Sequence, residues 1–343
     1  MNTSDILSST VKAMLSGDRG LLAMDESIPT CHKRFEPLGI PLTEESRRAY
    51  RELIVTTPNL GDAISGAILF DETIRQKTKD GKLFVDLLQK AGIVPCIKVD
   101  EGAHALAGFP GEKVTDGLDG LRKRLEGYFQ QGARFAKWRA VITIGGGIPS
   151  RTCCEVNAHA LARYAALCQE AGIVPIVEPE VLMDGTHTIE TCAAATEQIL
   201  IALFAQLRLQ GVTLEHTILK PNMVLSAIDC PKQAGVDQVA DATVHTFLRN
   251  VPAAVPGIVF LSGGQPADLA SARLNAMHVR FKDKMPWALT FSYSRAVQQP
   301  ALELWAGKDA NVPAAQKALL HRAKCNSAAR RGEYAPAMEA TAC

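Results

Sequence analysis

Lys220 lies in "TILKPN" (217–222), where a short apolar run takes a lysine and then stops at a proline. An ammonium at such a strand end either snorkels to water or is put to use. Used, it loses its proton and attacks a carbonyl carbon, because an unprotonated amine is a nucleophile towards ketones. Its company favours use. Lys98, Lys137, Arg139 and Arg295 stand at, in or just after other β-rich runs, and Asp25, Glu178 and Glu180 stand among them. Crowded cations depress a lysine's pKa through repulsion and desolvation. Bringing an ammonium from ~10.4 to near neutrality takes on the order of 4–5 kcal/mol. Carboxylates alongside could move protons as a carbinolamine forms and loses water.

A second pattern points to an anion. "LSGGQPADLASARLNAM" runs from an apolar stretch through Ser262, Gly263 and Gly264 towards a helix starting near Pro266. Small residues let backbone N–H groups approach an anion at a helix N-terminus, and the fork of Arg295 is suited to a phosphate. A metal mechanism finds less support. The histidines at 32, 104, 159, 187, 216, 245, 278 and 321 form no H-x-x-x-H or Cys/His ligand pattern. His187 and Glu190 could share a helix face, but two residues make no site. No metal and no cofactor are expected.

These groups need a scaffold that brings them together. "QKAGIVPCIKV" from Gln89 and "QEAGIVPIVEP" from Gln169 repeat one unit, a helix stopped at Ala-Gly and followed by a β-rich run. Similar runs begin at Gly20, Ile64, Ile93, Phe135, Ile173, His216, Gly257 and Ala288, eight in all. Between them, Leu118, Leu121, Leu125 and Phe129 have helical spacing, as do Ile199, Leu203, Phe204 and Leu207. Continuous apolar strands alternating with amphipathic helices make a parallel sheet covered by helices. An open doubly wound sheet would want a G-x-G-x-x-G turn, which "GGG" at 145–147 does not supply. The expectation is therefore an α/β fold, a single (β/α)8 barrel over about 20–306. An N-terminal helix precedes it, and a C-terminal helix and short tail occupy about 307–343, the whole of 1–343 forming one domain. Such barrels carry their reactive groups at the C-terminal ends of the strands, with phosphate sites after strands seven and eight. Residues two apart on a strand share a face, which pairs Lys137 with Arg139 and Glu178 with Glu180.

The bulk properties bound the partners. The 343 residues carry 37 basic and 36 acidic side chains, net +1 and well mixed, which gives no reason to expect nucleic acid or a membrane surface. The N-terminus lacks a basic stretch followed by an apolar one, and no run of 18 apolar residues occurs. Nine cysteines without a C-x-x-C pair fit reduced thiols. The adjacent Cys153 and Cys154 read as helix packing. A soluble cytoplasmic protein is expected.

With those residues in hand, the sequence resembles the class I (Schiff-base) fructose-1,6-bisphosphate aldolases from about Gly20 to Tyr334. "LLAMDES", "CIKVDEG", "FAKWRAV", "IVPIVEPE", "TILKPNM", "FLSGGQ" and "WALTFSYSRA" stand in family order. The resemblance implies that Lys220 forms the Schiff base with the C2 ketone and Glu178 is general acid/base for the carbinolamine. It implies that Asp25 takes the C4-hydroxyl proton, with Lys137 and Glu180 supporting proton transfer. Ser262, Gly263 and Arg295 look like the group for one phosphate, with Ser294 beside it. Ser27, Thr30, Lys33, Arg34, Lys98 and Arg139 look like the region for the other. A homotetramer is implied too. Sedoheptulose 1,7-bisphosphate or fructose 1-phosphate would suit the same chemistry. A metal-dependent aldolase and a non-catalytic phosphosugar-binding scaffold are the contrasting readings.

Three departures from the family pattern stand out. Pro29 replaces a usual glycine and stiffens the loop after strand one by fixing φ. Ser294 replaces the glycine of "SYGR", adding a side chain that could crowd the phosphate or donate to it. The sequence ends "EATAC", without the terminal tyrosine that many relatives use on the C3 proton of the enamine. That sets the expectation of a slower C3 step, or of another group in its place.

Overall fold

Successive side chains of a strand point to opposite faces, and in this chain the two faces have different tasks. The computed structural model describes residues 2–341. Its strands are β1 (Gly20–Met24), β2 (Ile64–Leu69), β3 (Val94–Lys98), β4 (Gly102–Ala105), β5 (Lys113–Asp116), β6 (Phe135–Ile142), β7 (Val174–Val181), β8 (Ile218–Leu219), β9 (Gly257–Phe260) and β10 (Ala288–Tyr293). All except β4 and β5 close into one barrel in the order β1-β10-β9-β8-β7-β6-β3-β2. Neighbours run parallel throughout the ring. The expected (β/α)8 barrel is therefore the observed one.

The inward faces form a small apolar cluster of their own. Leu21, Ala23, Ile68, Cys96, Phe135, Val174, Ile176, Ile218 and Val259 belong to it. The helix Thr3–Leu15 adds Leu7, Val11 and Met14 from below, so the N-terminal end of the barrel is plugged. The outward faces pack against the helices in a second, larger core. Followed two residues at a time, five of the eight inward faces turn from apolar to charged on the way up. Ala23 leads to Asp25, Cys96 to Lys98, Phe135 to Lys137 and Arg139, Ile176 to Glu178 and Glu180, and Ile218 to Lys220. This alternation places the ionisable groups at one mouth.

Gly66 is part of that packing. A Cβ there would lie 2.6 Å from Phe135 Cζ and 2.9 Å from Leu21 Cδ2. Gly66→Ala is expected to cost about 1–3 kcal/mol through overpacking, read as a lower urea midpoint with unchanged slope.

Two boundaries differ from the sequence reading. β8 is only Ile218–Leu219, shorter than the expected run to Pro221. Lys220 N still donates to Val177 O at 2.8 Å, and the ladder stops at Pro221, which has no N–H to give. The antiparallel hairpin of β4 and β5, Gly102 facing Asp116, was not anticipated. Its strands are short and largely exposed, so they carry no apolar period.

The helix Ile189–Leu209 is long and apolar enough to cross a membrane by length and composition. It packs on the barrel wall between the helices Arg151–Glu170 and Val236–Asn250, burying Ile199, Leu200, Leu203 and Leu207. At the other end of the chain, the helix Val312–Arg331 lies against the helices Arg295–Trp305, Ala267–Phe281 and Glu44–Val55. Of the "EATAC" terminus, Ala342 and Cys343 lie outside the described residues.

Candidate active site

Every residue to which the resemblance gave a catalytic or phosphate-binding role lines one cavity of about 1320 Å³ at the C-terminal ends of the barrel strands. Its floor is a buried cluster. Lys220 Nζ lies 3.2 Å from Glu178 Oε1, and Lys137 Nζ lies 3.2 Å from Glu178 Oε2. Glu178 thus bridges two ammonium groups. Lys137 also reaches Asp25 at 2.8 Å and Asp100 at 4.0 Å. Burial alone would raise the Asp25 carboxyl, but Lys137 and then Lys220 outweigh it and hold Asp25 below its ordinary value. Burial alone would lower Lys137, but Asp25, Glu178 and Asp100 push it well above the usual lysine range. Asp25 is accordingly an anion at neutral pH, and Lys137 a fixed cation.

This corrects one expectation. The mouth is not a crowd of like charges, because two lysines stand among the three carboxylates of Asp25, Asp100 and Glu178. A charge buried without an opposite partner costs too much to keep. The group nearest Lys220 is therefore a proton acceptor rather than a repelling cation.

Higher up, Arg139 forms a close ion pair with Glu180, and Lys98 pairs with Asp100 at 2.7 Å. Arg295 differs, for among the described residues it has no ion-pair partner within 4 Å. Burial lowers its pKa, and the neighbouring Arg34 lowers it further. Gly263 and Gly264 have φ of 60° and 98°, the left-handed region that favours glycine. A Cβ on Gly264 would sit 2.8 Å from Arg295 Nη2, so the guanidinium lies directly on this loop. The helix Ala267–Phe281 then starts after its N-cap, Pro266, where the sequence placed it. An unpaired, solvent-open guanidinium against a glycine turn and a helix N-terminus is suited to receive a phosphate dianion.

Ser294 joins a buried network instead of standing free beside that loop. Its hydroxyl donates to Glu26 Oε1 at 2.6 Å and accepts from Arg34 Nη2 and Gln298 Nε2, each at 3.2 Å. Arg34 also pairs with Glu26 at 2.6 Å. Arg34 therefore sits on the Ser294–Arg295 side of the mouth, rather than with Lys98 and Arg139 as first grouped. The segment "DESIPTCHKR" is not a loop throughout, since Ile28–Phe35 is a helix with Pro29 in its first turn, where a missing N–H costs nothing. Ser27 is its N-cap, with its hydroxyl 3.0 Å from that of Thr30.

Sequence reading missed the partners. Asp100 is buried between Lys98 and Lys137, and its only signal was its place two residues after Lys98 in "KVDEG". Glu26 is buried beside Asp25 and also pairs with Arg51 at 2.6 Å. The cavity continues past Lys98 to Arg75, Lys123, Arg124 and Tyr128, which carried no signal. His187 and Glu190 do not share a helix face, because the helix begins at Ile189 and its N-cap, Thr188, falls between them. Cys153 and Cys154 pack in the first turn of the helix Arg151–Glu170. Among the described residues all eight cysteines are free thiols and buried.

Fold and site together define a (β/α)8 barrel with a buried amine–carboxylate cluster beneath an anion-ready rim. Comparison with known proteins narrows this. A family model described as "Fructose-bisphosphate aldolase class-I" matches residues 6–343. The "Probable fructose-bisphosphate aldolase class 1" of Xanthomonas campestris pv. campestris is 58% identical over 330 residues, 96% of this chain and 98% of that one. The Arabidopsis thaliana "Fructose-bisphosphate aldolase 4, cytosolic" is 53% identical, covering 92% of this chain and 80% of that one. In structure, the fructose-bisphosphate aldolase of Plasmodium falciparum, solved in complex with TRAP and a small molecule inhibitor, superposes with a TM-score of 0.95. It is 45% identical, with 97% of this chain and 96% of that chain covered. This chain belongs to the class I fructose-bisphosphate aldolase family.

Proposed function

We propose that this chain catalyses the reversible cleavage of D-fructose 1,6-bisphosphate to dihydroxyacetone phosphate and D-glyceraldehyde 3-phosphate, with Lys220 as the Schiff-base nucleophile. The observation that carries this is the position of Lys220, buried on the floor of a phosphate-suited cavity with a carboxylate oxygen 3.2 Å from its nitrogen. Glu178 takes the proton that Lys220 gives up as its nitrogen bonds to the C2 ketone. It passes that proton to the C2 oxygen, making the carbinolamine hydroxyl. It then carries a second proton from the nitrogen to that hydroxyl, which leaves as water, so that a protonated imine results. Asp25, held ionised by Lys137, accepts the C4-hydroxyl proton. The C3–C4 bond then breaks, its electron pair moves towards the imine nitrogen, and the aldehyde separates. The enamine left on Lys220 is protonated at C3 and hydrolysed to dihydroxyacetone phosphate. Because the imine takes up the electron pair, cleavage itself calls for no Lewis acid.

Ser262, Gly263, Gly264 and Arg295, with Arg34 and Ser294 beside them, are assigned to the phosphate nearer Lys220. Lys98, Arg139, Ser27, Thr30 and Lys33 are assigned to the other, and Glu180 sets the orientation of Arg139 through their ion pair. We read residues 1–343 as one domain, assembled as a homotetramer by likeness to its family, with light scattering as the check. The cytosolic names of the plant relatives support a cytoplasmic location.

The test is borohydride reduction in the presence of dihydroxyacetone phosphate, followed by peptide mapping. A stable adduct is expected on the peptide containing "TILKPNM" and none in Lys220→Met. Labelling of a different lysine would overturn the assignment. A smaller effect is expected at Ser294. Ser294→Gly removes one link between Glu26 and Arg34 while their ion pair remains. KM for the bisphosphate should rise about 2- to 10-fold, the net worth of one hydrogen bond, with kcat nearly unchanged. Steady-state kinetics reads this directly.

A further inference from the structure

His321 and Cys325 stand one turn apart on the helix Val312–Arg331, and the segment after that helix brings Glu339 back to them. We propose that these three side chains form a binding site for one divalent cation of the zinc class, separate from the cleavage site and independent of the aldolase reading.

The geometry comes first. His321 Nε2 and Cys325 Sγ are 3.5 Å apart. A tetrahedral zinc with bonds of about 2.3 Å to sulfur and about 2.0 Å to nitrogen holds those two atoms about 3.5 Å apart. One ligand atom from each of the three residues lies within 4.8 Å of the others. Drawing the carboxylate in by about an ångström completes three protein ligands and leaves the fourth position to water. Sulfur, imidazole nitrogen and carboxylate oxygen together select a borderline metal over magnesium or calcium.

The surroundings orient the ligands. Glu339 Oε1 accepts from Arg322 Nη1, in a close ion pair, and from Tyr334 Oη at 2.8 Å. Oε2 receives no hydrogen bond among the described residues, so one oxygen is gripped and the other is free to bind. Such outer partners are what fix metal ligands in place. Arg322 is itself pinned to the barrel, donating to Ala296 O at 3.2 Å, Ala267 O at 2.9 Å and Ser271 Oγ at 2.8 Å. Its charge balances the Glu339 carboxylate while Cys325 is a thiol, so the site gains its net negative charge only as the thiol ionises to take up the cation. On binding, the Cys325 Sγ–H bond breaks and its proton passes to solvent, so one proton is released per cation. The bound cation would staple the segment Pro336–Thr341 to the helix. Through Arg322 it would also touch the helices that begin at Ala267 and Arg295, just beyond the glycine loop and the Ser294 turn.

The "H-x-x-x-C" spacing at 321–325 escaped the sequence templates because its third ligand comes from a different segment. The bland alternative is a hydrogen bond between Cys325 and His321, and the experiment separates the two. The full chain is stripped with a chelator and titrated with Co2+, following the thiolate-to-cobalt charge-transfer band and the tetrahedral ligand-field bands. One equivalent should generate both, with displacement by Zn2+. Cys325→Ser should abolish the charge-transfer band, and Glu339→Gln should weaken binding by about 10- to 100-fold. If Cys325→Ser does not fold, the partly exposed His321→Ala carries the test by the same loss of affinity. Absence of the band in the wild type overturns the proposal. So does its persistence in Cys325→Ser, which would move the thiolate to another cysteine, or unchanged affinity in His321→Ala.

Discussion

Lys220→Met should leave a folded barrel whose cleavage rate is lower by about 10⁶-fold, the scale seen when an enzyme nucleophile is removed. Methionine is unbranched and apolar, so it can fill the slot of a buried lysine stem. The change leaves no orphaned charge on the floor, because Glu178 keeps Lys137 at 3.2 Å and Asp25 keeps Lys137 at 2.8 Å. Arg295, Arg34 and the glycine loop are untouched, so a non-reacting bisphosphate should still bind with near-normal affinity. The split between retained binding and lost turnover is the signature of a covalent role. Circular dichroism and a thermal melt check the fold, and a coupled assay checks the rate. Turnover within tenfold of the wild type would remove Lys220 from the mechanism.

The second large effect falls on stability. Glu26→Gln is expected to destabilise the fold by about 3–5 kcal/mol, the usual result of removing one partner of a buried ion pair. Arg51 is almost fully enclosed and its guanidinium meets Glu26 Oε2 at 2.6 Å, while Arg34 meets Oε1 at 2.6 Å. Burial alone would raise the Glu26 carboxyl, but Arg51, then Arg34 and the Ser294 hydrogen bond, carry it far below the ordinary value of 4.5. A carboxyl depressed in the folded state contributes stability that is fully present above its unfolded pKa. That stability is lost as pH falls through the folded value. The wild type should therefore lose stability from roughly pH 5 downward more steeply than Glu26→Gln, which has no proton to bind there. Urea titrations at a series of pH values measure both the offset and the slope. Equal slopes would mean that Glu26 is not the charged partner of Arg51.

What could be read from the sequence follows the difference between local and non-local information. The eight barrel strands were legible because burial on both faces makes each run apolar, and the run itself shows that. Lys137, Arg139, Glu178 and Glu180 were legible in pairs because a period of two needs only one strand. The β4–β5 hairpin escaped because strands of four residues, with Thr115 alone buried, impose no apolar period. The partners of the charges escaped for another reason. Glu26 meets Arg51 and Ser294 across large separations in the chain, and Arg34 falls on the eighth-strand side only once the barrel closes. Charge balance at the floor is likewise a property of closure, so counting cations along the chain overstated their repulsion.

The helix Thr3–Leu15, packed under the barrel with Leu7, Val11 and Met14, makes the reaction chamber a blind well. Both three-carbon fragments must then leave by the opening through which the hexose came in. With Lys220 in its proposed role, one of them is still bonded to that side chain after the carbon chain breaks, and the other is held by contacts alone. Egress is thus sequential by construction: the aldehyde vacates first, and water follows it down to free its sibling.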